Sequence, residues 1–340
     1  MKIIHSFLPL KGFIGKKDVY LMTLSMLLAK KHYEKVVLYT NVEIAKIIRE
    51  IGLPYDEIDD VLLEGVTTGT FSIPKLIVYS VQTEPFIHID LDTFLFKKIN
   101  FDKKNGIYSA YDEGINTDFR MNNRGIGFFT TYVNNSFKLI DKLPELFMNE
   151  ISFSTIPNMC VFGGFDYKLI ADATLYCLKI YEENSIFFDS EFYNACIIEQ
   201  LFIPSAIRMI NKNNSKIKEI TYLFSKLPNS VIQNKDNPMN YPFSVTSIDD
   251  TIEINNDDEL YKNILYNFNG FLHLCGYKNF DKLIFLLRSK IMLQFDDGIK
   301  FLNKINDIFI YDKYDFEKNE DFYSTIKIDH HINLKNKKLI

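Results

Sequence analysis

Two aspartates, Asp90 and Asp92, close an apolar run in the stretch EPFIHIDLDTFLFKKI, Glu84 to Ile99. Phe86, Ile87 and Ile89 lead into the pair and Phe94, Leu95 and Phe96 lead out of it, a pattern that predicts a buried strand. One charge left there without a partner costs on the order of several kcal/mol, and two of like sign cost more. A positive charge is therefore expected between them. Residues two apart on a strand share a face, so both carboxylates can address one cation, and hard oxygen donors suit Mn2+ or Mg2+. Two solvated acids at a strand end would satisfy the same letters.

Upstream, the apolar spacing alternates between the strand and helix periods. Lys2 to Phe7 reads as a first strand, with His5 and Ser6 at the end where a doubly wound sheet presents its ligand. Nucleotide contact and a structural hydrogen bond are both open to His5. Asp18 can cap a helix running to about Lys31, with Leu21, Leu24 and Leu28 inward. The run KVVLYTN is a second buried strand ending in Tyr39, Thr40 and Asn41. Thr40 and Asn41 join His5 and Ser6 as candidate nucleotide contacts, and Asn41 can also cap a helix from Glu43 to Ile51 that Gly52 stops. After Pro54, YDEIDDVLLEG reads as an acidic connection. A helix from about Pro74 to Val81 turns Lys75 toward the phosphate side of the sheet, or leaves it as a surface lysine at a helix start. Strand, helix, strand, helix, strand is the nucleotide-binding half of an α/β fold.

Downstream the pattern loosens. Gly106 to Asn123 is polar, with Tyr108, Tyr111, Asp112 and Glu113, and reads as a strand and a loop over the site. Gly125 and Gly127 lack the rest of a phosphate-loop fingerprint, and the helix NNSFKLIDKLPELFMN is interrupted near Pro144. The segment IPNMCVFGGFDYKLIADATLYCLKIYEEN predicts a strand, a Gly163-Gly164 turn and a long helix. Paired glycines permit a bare backbone facing a ligand or a plain turn. FYNACIIEQLF, Phe192 to Phe202, predicts an apolar helix carrying Glu199 and Gln200 as a polar pair. Lys212 to Asp258 is Asn- and Lys-rich with little periodicity. GFLHLCGYKNF then places His273 inside an apolar run, with Gly276 and Lys278 behind it; a hydrogen-bonded core histidine would look the same. Two helices, Phe280 to about Phe295 and Gly298 to Phe309, precede a tail. His330 and His331 in that tail point to opposite sides of an extended chain and do not make a two-histidine site.

The order of Lys-bearing helix, apolar strand and Asp-x-Asp over Ser72 to Ile99 resembles the metal-binding core of the GT-A nucleotide-sugar transferases. The PFIHIDLD segment is similar to that of an uncharacterised bacterial glycosyltransferase-like family. The resemblance implies an α/β fold, a GT-A (Rossmann-like), mainly parallel mixed sheet flanked by helices, over residues 1–280, with a helical extension and tail over 281–340. It implies Asp90, Asp92 and His273 as ligands of Mn2+ or Mg2+. His273, Gly276 and Lys278 resemble a His-x-x-Gly-x-x-Lys element that completes the metal shell and grips diphosphate, with the lysine one residue early. Against the glycogenin-like transferases, Asn158 resembles an Asn that lines the donor sugar, and Glu199-Gln200 resembles an Asp-Gln pair near the transferred sugar. The implied activity is transfer of a sugar from a nucleoside diphosphate to a glycan acceptor, with retention of configuration. Asp112, Glu113 and Asp166 could instead supply an inverting base. Two other readings stand beside it: a nucleotide-sugar-binding protein without turnover, and a haloacid-dehalogenase-like phosphatase with Asp90 as nucleophile.

Composition narrows the partners. A net charge of -5 argues against nucleic acid as a general partner, because phosphate backbones are held by clustered Lys and Arg. Cys160, Cys177, Cys196 and Cys275 lie far apart with no Cys-x-x-Cys spacing, so neither a zinc site nor a disulfide framework is suggested. No run reaches the length of a membrane span or signal segment, so a cytoplasmic protein is expected.

Overall fold

A computed structural model describes residues 1–9, 14–101, 106–112, 156–190, 192–212, 220–224, 244–248, 271–275 and 281–309. Gly276, Lys278, Glu113, Gly125, Gly127, the helix expected near Pro144, and His330 and His331 lie outside the described residues.

The chain opens β1 (Lys2–Ser6), α1 (Lys16–His32), β2 (Val36–Tyr39), α2 (Val42–Ile51), β3 (Glu57–Asp59), α3 (Ser72–Ser80) and β4 (Phe86–Ile89). It continues with β5 (Thr93–Leu95), β6 (Ile107–Ser109), β7 (Val161–Gly164), α4 (Tyr167–Glu183), α5 (Ser185–Ser190) and α6 (Phe192–Cys196). A π-helix (Ile197–Phe202), α7 (Ile203–Asn211), β8 (Ile220–Tyr222), β9 (Ser244–Ile248), β10 (Phe271–Cys275), α8 (Asp281–Gln294) and α9 (Gly298–Ile308) complete the described elements.

Among the described residues the strands form two sheets: one of seven in the order β3-β2-β1-β4-β7-β6-β8, and one of three in the order β5-β10-β9. β1 to β4 run parallel, β7 is reversed against both β4 and β6, and β8 is parallel to β6. Alternate strand residues feed two cores. Ile3, Val36, Leu38, Ile87 and Ile89 face one, lined by α1 and α2, while Ile4, Val37, Phe86, Ile107 and Phe162 face the other, lined by α3, α4 and α7. Both faces are covered, which is why these strands read as continuous apolar runs and not as alternating ones.

Local signals set several boundaries. Asn41 Oδ1 accepts from Ile44 N at 3.0 Å to start α2, and Gly52, at φ 81°, ends it. Asp18 sits inside α1, not before it, and reaches back to Gly15 N at 3.0 Å. Every residue of α1 from Val19 to Ala29 is buried, since the helix lies between the sheet, β5 and α8. The acidic connection after Pro54 contains an edge strand, β3, that pairs with β2. Its exposed, charged residues hide it from an apolar-run criterion.

Two expectations are corrected. Gly163 and Gly164 do not form a turn: they lie within β7, at φ 145° and 154°. A side chain at Gly163 would come within 2.3 Å of Phe86 O, and one at Gly164 within 2.0 Å of Gly106 O, so neighbouring strands occupy the space a ligand would need. The helix Phe192 to Phe202 changes to a π-helix at Ile197. Pro204, next along the chain, has no N–H to offer the carbonyl four residues earlier, a break that a wider turn accommodates.

The C-terminal helices belong to the same core as the N-terminal parallel half. Leu287, Ile291, Phe301, Leu302 and Ile305 join the cluster of α1 and α2. Tyr20 donates to Asn306 Oδ1 at 3.1 Å, and Lys304 Nζ to Glu50 O at 3.1 Å. Among the described residues no helix is long and apolar enough to cross a membrane.

Candidate metal centre

In the order β3-β2-β1-β4 the chain fills one side of β1 and then crosses to the other, so the crevice outside the carboxyl ends of β1 and β4 is a topological switch point. β4 ends there at Ile89, and Thr93 N bonds back to Asp90 O at 3.0 Å, closing a tight turn through Leu91 and Asp92. Asp90 and Asp92 thus meet through a turn, not along a strand face. Asp90 N still continues the ladder to Cys160 O at 2.9 Å, and Ser25 Oγ on α1 donates to Thr93 O at 2.8 Å. The turn passes the chain into β5, which pairs antiparallel with β10 and sets His273 opposite Thr93.

This pairing assembles the cluster. Asp90, Asp92 and His273 each offer a ligand atom, and those atoms lie within 4.8 Å of one another. His273 Nε2 is 3.8 Å from Asp92 Oδ1, and its Nδ1 is 3.5 Å from the hydroxyl of Tyr111. Two carboxylates and an imidazole, drawn from one turn and one neighbouring strand, make a donor set that could hold a metal ion.

A second, buried charge group lies under Asp90. Lys75 Nζ is 2.7 Å from Asp90 Oδ1 and donates to Asp90 Oδ2 and to Glu199 Oε1, each at 2.9 Å. The Glu199 side chain is 4% exposed and that of Lys75 11%, whereas that of Asp90 is 20% exposed. Burial opposes the lysine's charge, but the carboxylates of Asp90 and Glu199 outweigh it and hold its pKa well above the ordinary value. The cation expected beside Asp90 is therefore present in part as Lys75, brought by α3.

Residues 1–264 match the model of a family of unknown function, DUF6734. The chain belongs to DUF6734. A comparison with curated proteins finds no match. The span shared with DUF6734 contains Lys75, Asp90, Asp92 and Glu199, while His273 lies beyond it.

Several residues expected to touch a nucleotide in this DUF6734 member are engaged in its framework. His5 is fully buried, with Nδ1 2.9 Å from Tyr55 Oη and Nε2 3.4 Å from Ser25 Oγ. Burial pushes its pKa down to about 3, so it is a neutral core histidine. Ser6 Oγ is 2.9 Å from His88 Nε2. Buried Thr40 donates to Phe7 O at 2.7 Å, and the Asn41 side chain caps α2. Asn158 Oδ1 accepts from Cys160 N at 3.0 Å and its side chain is buried. Asp112 Oδ1 accepts from Ile156 N at 2.8 Å. These side chains shape the end of the sheet and hold the turn above it. Glu199 is in the buried ion group and Gln200 is half-buried on the π-helix. The partnership of Lys75 with Glu199, 124 residues apart, escaped sequence reasoning. A glutamate inside the apolar run FYNACIIEQLF was its one visible trace.

Proposed function

We propose that this chain is a metal-dependent glycosyltransferase of the GT-A type, acting on a nucleoside-diphosphate sugar and a glycan acceptor. The observation that carries the reading is the convergence of Asp90, Asp92 and His273 within 4.8 Å at the switch point of a mainly parallel sheet, the place where open α/β sheets take nucleotides. Asp90, Asp92 and His273 would hold the ion, which when bound supplies Lewis-acid stabilisation to the charge gathering on a departing diphosphate. Without it the two carboxylates would repel that diphosphate. Lys75 contributes a fixed positive charge on the floor of the site, in contact with Asp90. Glu199, buried and paired with Lys75, is suited to orienting and not to accepting a proton. Gln200, beside it on the π-helix, is the candidate neighbour of the anomeric carbon, which favours retention of configuration.

Thermal-shift screening of nucleoside diphosphates and nucleotide sugars with and without Mn2+ tests the reading, because a ligand of the native state raises the melting temperature. The expected result is stabilisation by one nucleotide in the presence of Mn2+ that Asp92→Asn abolishes. No metal-dependent stabilisation by any of them would refute it. A trapped aspartyl-phosphate on Asp90 would assign phosphatase chemistry instead.

A further inference from the structure

Beneath Asp90 lie polar atoms that the proposed metal site leaves unused. His88 stands two residues before Asp90 on β4, within the segment FIHI, and is fully buried. Its Nε2 is 2.9 Å from Ser6 Oγ, at the end of the adjacent strand β1. Among the described residues its Nδ1 has no hydrogen-bond partner, and the nearest carboxylate oxygen is Asp90 Oδ1. These two atoms face each other at 3.6 Å. Lys75 Nζ is also near Oδ1, at 2.7 Å, but its directed hydrogen bond goes to Oδ2. His88 Nδ1 is thus a buried polar atom without a partner of its own, and the atom opposite it is an oxygen of Asp90 that Lys75 engages from another side; leaving Nδ1 unpaired there is costly.

The tautomer follows from the neighbours. A neutral imidazole carries one N–H, and its place is set by what each ring nitrogen faces: the Ser6 hydroxyl at Nε2 and the Asp90 carboxylate at Nδ1. With the proton on Nε2, the Nδ1 lone pair would face a carboxylate oxygen 3.6 Å away, acceptor against acceptor. With Ser6 donating its hydroxyl proton to Nε2, the N–H falls on Nδ1 and faces Asp90. The edge-on Tyr79 ring, 5.2 Å away, packs against the imidazole and limits its rotation.

We propose that His88 is a positioning residue for the metal-binding carboxylate: Ser6 sets its tautomer, and its Nδ1–H holds Asp90 Oδ1 in the orientation that the ion requires. This rests on the metal-site reading above. The 3.6 Å separation exceeds a formed N–H···O bond of about 3.0 Å, so a small turn of the Asp90 carboxylate would be needed to complete the bond. Partners of this kind around ligating carboxylates and imidazoles are worth roughly 10- to 100-fold in metal affinity.

The test uses the full chain and Mn2+ alone, with free Mn2+ followed by electron paramagnetic resonance. His88→Leu should weaken Mn2+ binding about tenfold or more. His88→Asn, whose amide N–H can take the place of Nδ1–H, should stay within about threefold of the native chain. Ser6→Ala, a change small enough to leave the fold intact, should fall between them. Unchanged Mn2+ affinity in His88→Leu overturns the inference while leaving the metal reading standing; a native chain that does not bind Mn2+ overturns the metal reading and this inference with it. Long-range 15N NMR of the metal-free native chain reads the tautomer directly. Protonated Nδ1 on His88 is expected, and an Nε2–H tautomer overturns the proposal whatever the metal does.

Discussion

Removing the ammonium at position 75 should deprive a carboxylate in the core of its counter-charge. In Lys75→Met the methionine keeps the stem's packing, but Glu199 loses the partner at 2.9 Å in a position where its side chain is 4% exposed. Asp90, with a side chain 20% exposed, can recover water, so the penalty falls mainly on Glu199. Breaking a buried pair from one side costs about 3 to 5 kcal/mol. The acid so deprived has an escape, which is to take up a proton, at about 1.4 kcal/mol for every pH unit above a glutamate's ordinary value near 4.3. That caps the loss at roughly 4 kcal/mol at pH 7 and at about 1 kcal/mol at pH 5. The sign is opposite to ordinary acid denaturation: the variant is most impaired at high pH and approaches the native chain as pH falls. Urea unfolding at the two pH values, read as midpoint and slope, measures it. The double variant Lys75→Met with Glu199→Gln removes both charges of that pair and should recover to within about 1 to 2 kcal/mol of native. A loss below about 1 kcal/mol at pH 7, or one that does not change with pH, would refute the reasoning.

Three further outcomes are expected. His5, held neutral with its pKa pushed down to about 3 against an ordinary 6.5, takes up a proton only in the unfolded chain, so its stability contribution is complete above pH 6.5 and lost as pH falls toward 3. His5→Gln should therefore abolish about 2 kcal/mol of the stability lost between pH 6.5 and pH 5, and an unfolding profile parallel to the native one would count against it. Gly163→Ala, whose new methyl meets Phe86 O at 2.3 Å, should cost more than about 3 kcal/mol, whereas Gly65→Ala, at φ 68° in open space, should cost only the left-handed penalty of about 1 to 2 kcal/mol; equal losses in urea titration would remove the strand-contact argument. Asn41→Ala should lower stability by about 1 kcal/mol as a lost helix cap without changing Mn2+ or nucleotide binding, and a selective loss of binding would return Asn41 to the site.

The nearest-neighbour part of this molecule was legible in its letters. A cap, an apolar stripe and a stop are encoded within one segment, so α2 could be bounded by Asn41 and Gly52, and β1, β2 and β4 by their apolar runs. Where the local signal was weak or borrowed, the reading slipped. β3 is charged and lies at the sheet edge, so its strand character comes from pairing with β2. The glycines of β7 looked like a turn because their need is set by Phe86 and Gly106, backbone atoms supplied by other strands.

The sequence by itself determined that two acids end a buried run, that α/β units lead up to them, and that the net charge is -5, all consequences of period, burial and composition. Only the tertiary structure decided how those acids are answered. The antiparallel pairing of β5 with β10 carries His273 to Asp92, and the packing of α3 against the π-helix joins Lys75 to Glu199. The reversal of β7 against β4 packs Phe162 onto the Tyr79 ring that meets His88 edge-on. A buried charge demands a partner wherever it lies in the chain, and chain order says that the demand exists without saying which distant residue meets it.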